Sequence, residues 1–458
     1  MNPITNFLNN LSIPTVNIVS ALIFFVIAAK VTTPTFFDNI TILQLFSAAV
    51  SLFAFINSSV VTRDVTYMFA KNEIDVGFIS TVLLTPLLAS PVFLILLLFP
   101  NFIKLSILYL IPLFFFQYVT AILIGLNRFA ENAISWTTFL SIRWVVSLVA
   151  VFLHNVSLFI VIWIVAAVVS STYSFLVLRR SVPGFSLTFS VKSFKKVVKA
   201  SLTLYLQNVS DFFSSQGDRL IVMSFLGSYF LAVYQFSALL ADVPAMLLRA
   251  INDSVLVSSS YFKARGVDEL KMSRLTFKIV LVLSVLMTII SLPLARFLVP
   301  ILFPEYQVGL NAMSILMLSI TLSIPFIVMS QFIISFKRDL KPFVFISLTD
   351  AILVITTSIF FIPRLGILGG AISQLIVAVV NDSLYLAYSV RVKVFSLGRK
   401  EVALLALLPF MFVYELFLTQ AYFSVLLGIS LLLGLKISRI FERDELDVIG
   451  RFIEKIRL

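Results

Sequence analysis

Nine charged residues lie inside stretches otherwise apolar enough to cross a membrane: Arg143, Asp211, Asp218, Arg219, Asp242, Arg249, Asp253, Asp350 and Asp382. A charge at the centre of a bilayer costs on the order of 2.5–3.5 kcal/mol, so each needs water or a partner. Six of the nine fall in two consecutive stretches, 200–225 and 230–256. In the first, Gln207, Asn208, Asp211, Ser214, Ser215 and Asp218 recur at helical steps and share one face. In the second, Gln235, Asp242, Arg249 and the Asn252/Asp253 pair do the same. Arg249 and Asp253, four apart, could pair on their own helix. Two neighbouring polar stripes fit a water-filled cavity. A buried ion-pair network that locks the halves together is the second reading, and the two are compatible.

The earlier part of the chain is less charged. Gln44, Ser47, Ser51 and Ser58 share one face of the stretch 40–61. The stretch 11–30 offers Asn17, Ser20 and, near its outer end, Lys30. Most cavity charge is therefore expected from the second half. Arg143 reads as a side chain snorkelling toward the cytoplasm or held in an internal pair, and Asp350 falls one turn from its counterpart position in the second half. Asp382 reads as hydrated near the cytoplasmic end of its span.

No catalytic constellation is legible. Cysteine is absent and His154 is the single histidine, so thiol catalysis and a His/Cys metal cage are excluded. His154 itself falls in a short outer loop and reads as a surface residue. There is no P-loop motif and no HExxH motif, and no cofactor is expected.

What must position these residues is a set of membrane spans. Of 458 residues, 60% are hydrophobic, 12% charged and 14% aromatic. A soluble domain is nearer a quarter charged, so an ordinary soluble enzyme, a coiled coil and a disordered chain are ruled out. Apolar stretches of about twenty residues, the length of one helical crossing, recur along the whole chain. About fourteen are expected: 11–30, 40–61, 77–99, 103–125, 134–153, 157–177, 200–225, 230–256, 277–299, 309–335, 342–362, 367–390, 401–418 and 421–436. The first begins near Leu11, lacks a basic flank, and reads as a retained span rather than a signal peptide. Twenty-seven Lys and Arg residues fall in the even-numbered loops and the C-terminal tail, against four on the opposite face. The positive-inside rule then puts both termini in the cytoplasm of a multi-pass cell-membrane protein. The net charge of +12 is spread over seven short loops and does not form a nucleic-acid surface.

The chain also repeats itself. Phe46-Ser47-Ala48 matches Phe236-Ser237-Ala238, and Leu98-Phe99-Pro100 matches Leu302-Phe303-Pro304. Ala167-Val168-Val169 matches Ala378-Val379-Val380. Six spans per repeat is an even number, so the halves insert the same way up, with a substrate path expected at their interface. The expected organisation is a six-helix lobe over 1–177, a basic cytoplasmic linker over 178–199 and a second six-helix lobe over 200–390. Two extra helices over 391–436 and an amphipathic tail over 437–458 complete it. Linker and tail each read as an interfacial helix or as a cap on the bundle.

Three stretches together resemble a known family. They are Asp218-Arg219-Leu220-Ile221 through Leu226-Gly227 to Tyr234; Pro304-Glu305-Tyr306 leading into Ser314-Ile315-Leu316; and Ile362-Pro363-Arg364-Leu365-Gly366-Ile367-Leu368-Gly369-Gly370-Ala371. In this order they resemble the polysaccharide-biosynthesis flippases of the multidrug/oligosaccharidyl-lipid/polysaccharide exporter superfamily. The sequence departs from the family pattern where Phe36-Phe37-Asp38 replaces a Gly-Tyr and where Leu256-Val257-Ser258 lacks a proline. The resemblance implies an all-α fold of two six-helix lobes in a V, opening alternately to either side. It implies a monomeric, non-enzymatic transporter that moves a lipid-linked oligosaccharide, carried on polyprenyl phosphate or diphosphate, for surface glycan assembly. On that reading Arg249 and Arg219 bind the anionic headgroup, with Lys30 and Arg63 near the mouths. Asp211, Asp218, Asp242, Asp253, Asn208, Gln235 and Gln44 line the cavity, and its carboxylates take glycan hydroxyls or couple transport to H⁺ or Na⁺. The alternative within the superfamily is an ion-coupled drug or organic-cation antiporter, which the arginines beside the carboxylates disfavour.

Overall fold

The computed structural model describes residues 3–32, 34–49, 52, 56–93, 106–245, 269–337, 341–399, 401–402 and 405. Arg249, Asp253, spans thirteen and fourteen beyond residue 405, and the tail 437–458 lie outside them. Among the described residues all regular structure is helical. Seven segments are long and apolar enough to cross a membrane: Leu108–Gly125, Phe129–Phe152, Val156–Ser181, Met272–Leu302, Pro304–Ile327, Val344–Leu365 and Ile367–Arg391. The chain is an all-α, multi-pass membrane protein.

The helices are α1 (Pro3–Val31), α2 (Pro34–Ala49), α3 (Ser58–Ala70), α4 (Val76–Phe93), α5 (Ser106–Gly125), α6 (Phe129–Ser141), α7 (Leu148–Phe152), α8 (Val156–Ser181) and α9 (Val191–Leu226). A helix over 228–245 is α10. Then come α11 (Glu269–Leu302), α12 (Leu310–Lys337), α13 (Lys341–Leu365) and α14 (Ile367–Arg391). They form two compact units: Met1–Gln235 with Lys341–Gly366, and Phe236–Leu340 with Ile367–Leu458.

Three elements of the first unit differ from the sequence reading. The second span is not one helix over 40–61; the chain leaves the helix at Ile56 and Asn57, and α3 starts at Ser58. The fifth span is interrupted by a π-helical turn, Ile142–Val146, between α6 and α7. The basic linker is not a separate interfacial helix. Ser190 caps a helix by accepting from the Ser193 N–H, and that helix runs unbroken through the seventh span to Leu226. Its 36 residues make α9 about 54 Å long at 1.5 Å per residue. Gly227 ends it at φ 86°, a left-handed conformation that glycine adopts without a Cβ penalty. α9 is absent from the apolar candidates because its polar stripe lowers its hydropathy.

Close backbone approach holds this unit together in two places. A Cβ on Gly125 of α5 would stand 2.7 Å from the Val65 Cβ of α3. A Cβ on Gly217 of α9 would meet the Val354 Cγ1 of α13 at 3.2 Å. An aromatic cluster of Phe24, Phe25, Trp144 and Phe159 joins α1, the π-turn and α8.

The second unit packs Phe277, Leu281 and Val285 of α11 against Phe326 and Met329 of α12 and against Phe395. The segment after α14 is clasped to the start of α11. The Arg274 Nε donates to the Ser396 carbonyl at 2.7 Å, and the Ser273 hydroxyl to the Val394 carbonyl at 2.7 Å. Lys278, expected as a solvated loop base, is buried and pairs with Glu401 at 3.2 Å.

Two stability outcomes are expected. Gly125→Ala should lower the thermal unfolding midpoint in detergent by overpacking, a cost of about 1–3 kcal/mol. Glu401→Ala, by stranding the buried Lys278 ammonium, should cost more, about 3–5 kcal/mol. The Lys278→Glu/Glu401→Lys exchange should recover part of that loss in the same thermal scan.

Candidate substrate cavity

A non-helical stretch inside a membrane must find partners for its backbone N–H and C=O groups, because hydrocarbon supplies none. The break between α2 and α3 finds them on α9. The Asn57 N–H donates to the Ser201 hydroxyl at 3.1 Å, and the Tyr205 hydroxyl donates to the Leu52 carbonyl at 2.9 Å. One turn along, the Asn57 side-chain amide donates to the Asn208 Oδ1 at 3.3 Å. The polar stripe of α9 thus completes a broken span.

Beside this junction lies a cavity of about 540 Å³, within the range that holds a drug-sized ligand. Ser47 of α2 and Asn57 and Ser58 at the break form one part of its wall. Tyr109 and Gln117 of α5 form another, with Trp136 and Phe139 of α6 and Arg143 of the π-turn. Asn208, Asp211 and Ser215 come from α9. All belong to the first unit. The wall carries one guanidinium and one carboxylate among amides, hydroxyls and aromatic rings. Ser347 of α13 hydrogen-bonds the Asp211 carboxylate.

Arg143 does not snorkel. Its Nη2 donates to the Ser47 hydroxyl at 2.7 Å. Its guanidinium carbon stands 4.4 Å from the Trp163 ring centroid and 4.9 Å from that of Trp144. The Trp144 indole N–H is itself fixed by the Asn17 Oδ1 of α1 at 3.0 Å. Cation–π contacts of this desolvated kind contribute about 2 kcal/mol each, enough in sum to offset the cost of placing the charge in a membrane. The π-turn inserts one residue into the helical repeat and so re-aims this side chain, the usual effect of such a turn. The buried Arg143 Nε and Tyr109 hydroxyl have no hydrogen-bond partner among the described residues. Both are donors with unused hydrogen-bonding capacity at the cavity wall.

The other sequence-predicted residues are distributed as follows. Asn208 and Asp211 line the cavity, as does Ser215 of the same stripe. Gln44 and Gln235 are brought together, the Gln235 amide donating to the Gln44 Oε1 at 3.3 Å. Asp218 lines no described cavity. It is buried and accepts from the Tyr234 hydroxyl at 2.6 Å and the Arg219 N–H at 2.8 Å, tying α9 to α10. The Arg219 Nη1 is spent on its own helix, on the Ser215 carbonyl and the Gln216 Oε1, each at 2.7 Å. Asp242, half-buried, lies in the second unit. Lys30 is exposed at the end of α1. Arg63 is exposed, pairs with Asp64 at 2.9 Å, and lines a second cavity of about 530 Å³ with Thr62, Thr120 and Ile124. Arg249 and Asp253 lie outside the described residues. Asn57, Tyr109, Gln117 and Trp136 are wall residues that the search for charges passes over. The only sequence signal for the break is the run Asn57-Ser58-Ser59 within an apolar span.

Residues 128–309 match the family described as polysaccharide biosynthesis protein. The solved structures include a lipid II flippase, MurJ, in an inward closed conformation. It aligns with 96% of this chain and 99% of its own at a TM-score of 0.70 and 15% identity. The family match covers part of the chain, and the structural likeness covers nearly all of it. A multidrug resistance MATE transporter of the MOP superfamily, outward-facing, aligns with 86% of this chain and 96% of its own, at a TM-score of 0.63 and 14% identity. A MOP superfamily transporter from Pyrococcus furiosus aligns with 86% of this chain and 97% of its own, at 0.61 and 12%. At these identities the likeness is one of fold. No curated protein sequence matches.

Tyr205→Phe removes one donor to the broken span and leaves the Leu52 carbonyl short of a partner. The expected cost is about 1–3 kcal/mol, read as a lower unfolding midpoint, with Tyr205→Trp no better because it misplaces the donor.

Proposed function

We propose that the protein is a flippase that moves a polyprenyl-phosphate- or diphosphate-linked oligosaccharide across the membrane for surface glycan assembly. The observation that carries this reading is the cavity around Arg143. It sets a fixed guanidinium, with an unpartnered Nε, beside the unpartnered Tyr109 hydroxyl in a wall that also carries the Asp211 carboxylate, amides, hydroxyls, rings and aliphatic side chains. A phosphate oxygen is the natural guest of the first pair and glycan hydroxyls of the rest. The family match and the 96% alignment with a lipid II flippase support the same substrate class.

The chain does no covalent chemistry in this proposal. Crossing bare hydrocarbon with a charged headgroup is prohibitive, so the protein substitutes fixed dipoles and one cation for the headgroup's water. The lipid tail stays in the bilayer. Two six-helix lobes, 1–177 and 200–390, exchange inward and outward openings, with the termini in the cytoplasm of the cell membrane. Arg249 joins Arg143 as a headgroup ligand, and Lys30, Arg63 and Arg219 act nearer the surfaces. Asp211, the carboxylate of the cavity wall, couples movement to H⁺ or Na⁺, with Asp218, Asp242 and Asp253 shaping the field around it. The working form is a monomer.

The antiporter reading draws on the MATE alignments, which cover a tenth less of the chain than the flippase alignment. The cavity holds one guanidinium and one carboxylate, and the unpartnered donors at the guanidinium end favour an anion over an organic cation.

The test is movement of a fluorescent polyprenyl-diphosphate-linked oligosaccharide in proteoliposomes. Wild type should move it. Arg143→Gln should slow movement about tenfold to a hundredfold, the loss of a charge-assisted contact of roughly 1.4–2.8 kcal/mol. Asp211→Asn should abolish dependence on an imposed H⁺ or Na⁺ gradient. A folded wild-type protein that moves no such lipid under any gradient, yet expels organic cations, would overturn the proposal in favour of the antiporter.

A further inference from the structure

The cavity around Arg143 and the cavity beside Arg63 share three residues: Ser58 of α3, Gln117 of α5 and Trp136 of α6. These three form the wall common to both. Trp136 packs against Phe116 at a ring separation of 4.8 Å and against Phe139 at 5.8 Å, both edge-on. The contacts fix the plane of the indole while the residue stays half-exposed. Its N–H, the Gln117 side-chain amide and the Ser58 hydroxyl have no hydrogen-bond partner among the described residues. So the wall offers one immobilised aromatic face, two hydrogen-bond donors on nitrogen, an amide acceptor and a hydroxyl, and no charge.

That set discriminates among the parts of an amphiphilic anionic glycolipid. A diphosphate calls for cations, and this wall has none. A polyprenyl chain calls for an apolar surface and would leave an amide and a hydroxyl unpaired, a cost of about a factor of ten or more per group. A pyranose ring satisfies every feature. Its C–H groups are polarised positive by the neighbouring oxygens and lie favourably on the electron-rich face of an indole. Its equatorial hydroxyls both donate and accept, as the Gln117 amide requires.

We infer that Trp136, Gln117 and Ser58 form a sugar subsite, at which the indole stacks against one pyranose of the transported glycan while the amide and hydroxyl take its hydroxyl groups. The inference rests on the flippase reading and deepens it. The headgroup phosphate sits on the Arg143 side of this wall, and the glycan extends across it toward Arg63. Selectivity for a sugar over a bare lipid diphosphate then resides in an uncharged wall rather than in the cation.

The experiment compares two probes on the purified full chain in detergent: a short-chain polyprenyl diphosphate carrying an oligosaccharide, and the same polyprenyl diphosphate without sugar. Trp136→Ala should raise the Kd for the glycosylated probe about tenfold or more and leave the sugar-free probe unchanged. Trp136→Phe, which keeps a ring, should fall within about threefold of wild type. Gln117→Leu should show the same selectivity as Trp136→Ala and serves where the alanine variant does not fold. A Trp136→Ala protein that binds both probes as wild type does, or weakens both equally, overturns the sugar subsite. Movement of the glycosylated lipid by wild type would then still stand. A wild type that binds neither probe overturns the subsite and the flippase reading together.

Discussion

A polypeptide that leaves the helix within a bilayer must be completed by its neighbours, and that requirement organises the first unit. The second span is interrupted at Ile56 and Asn57 and resumes at Ser58. Ser201 and Tyr205 supply the missing hydrogen bonds from α9. This explains why α9 is too polar to count among the apolar helices and why it packs with the first unit rather than with the α11–α12 pair. The stripe of small and amide side chains on α9 is therefore structural at its start and faces a cavity further along. The same face first satisfies backbone and then presents Asn208, Asp211 and Ser215 to open space.

The cavity's one cation depends on a second irregularity. Arg143 sits in a π-turn, between two tryptophans, one of which is anchored to Asn17 of α1. Among the described residues no carboxylate lies within ion-pair distance of it. A guanidinium paired with a carboxylate would be a closed interaction with little left for a ligand. One held by ring faces and a serine hydroxyl keeps its field and an idle N–H. The contrast lies within the same chain: Lys278 and Glu401 are buried and paired at 3.2 Å, an arrangement suited to holding α11 against the segment after α14.

Much of the architecture is legible in the sequence because hydropathy over twenty residues is a strong signal. The all-helical, multi-pass class follows from composition, and the polar face of α9 from helical spacing. Asn208 and Asp211 were found that way. Asp218 shares the spacing but not the setting. It is consumed by Tyr234, and periodicity alone cannot separate a side chain that faces a cavity from one that faces a tyrosine on the next helix. The break at Asn57 and the π-turn at Arg143 leave little trace, since neither needs glycine or proline. Both depend on partners that are more than 90 residues distant in sequence, Ser201 for the one and Ser47 for the other. Gln117 and Trp136 escape for a different reason. An uncharged residue in an apolar span carries no penalty that marks it as functional.

The length of α9 has a mechanical consequence. Its first three turns carry Lys192, Lys195, Lys196 and Lys199, and its cavity residues follow on the same uninterrupted backbone. Such a rod has no joint at which to absorb a displacement. Thr81 and Ser80 of α4 grip the chain just before it begins, through the Ser190 and Thr188 N–H groups. A displacement of the lysine-bearing end would therefore be carried along a single helix to Asn208 and Asp211 on the cavity wall.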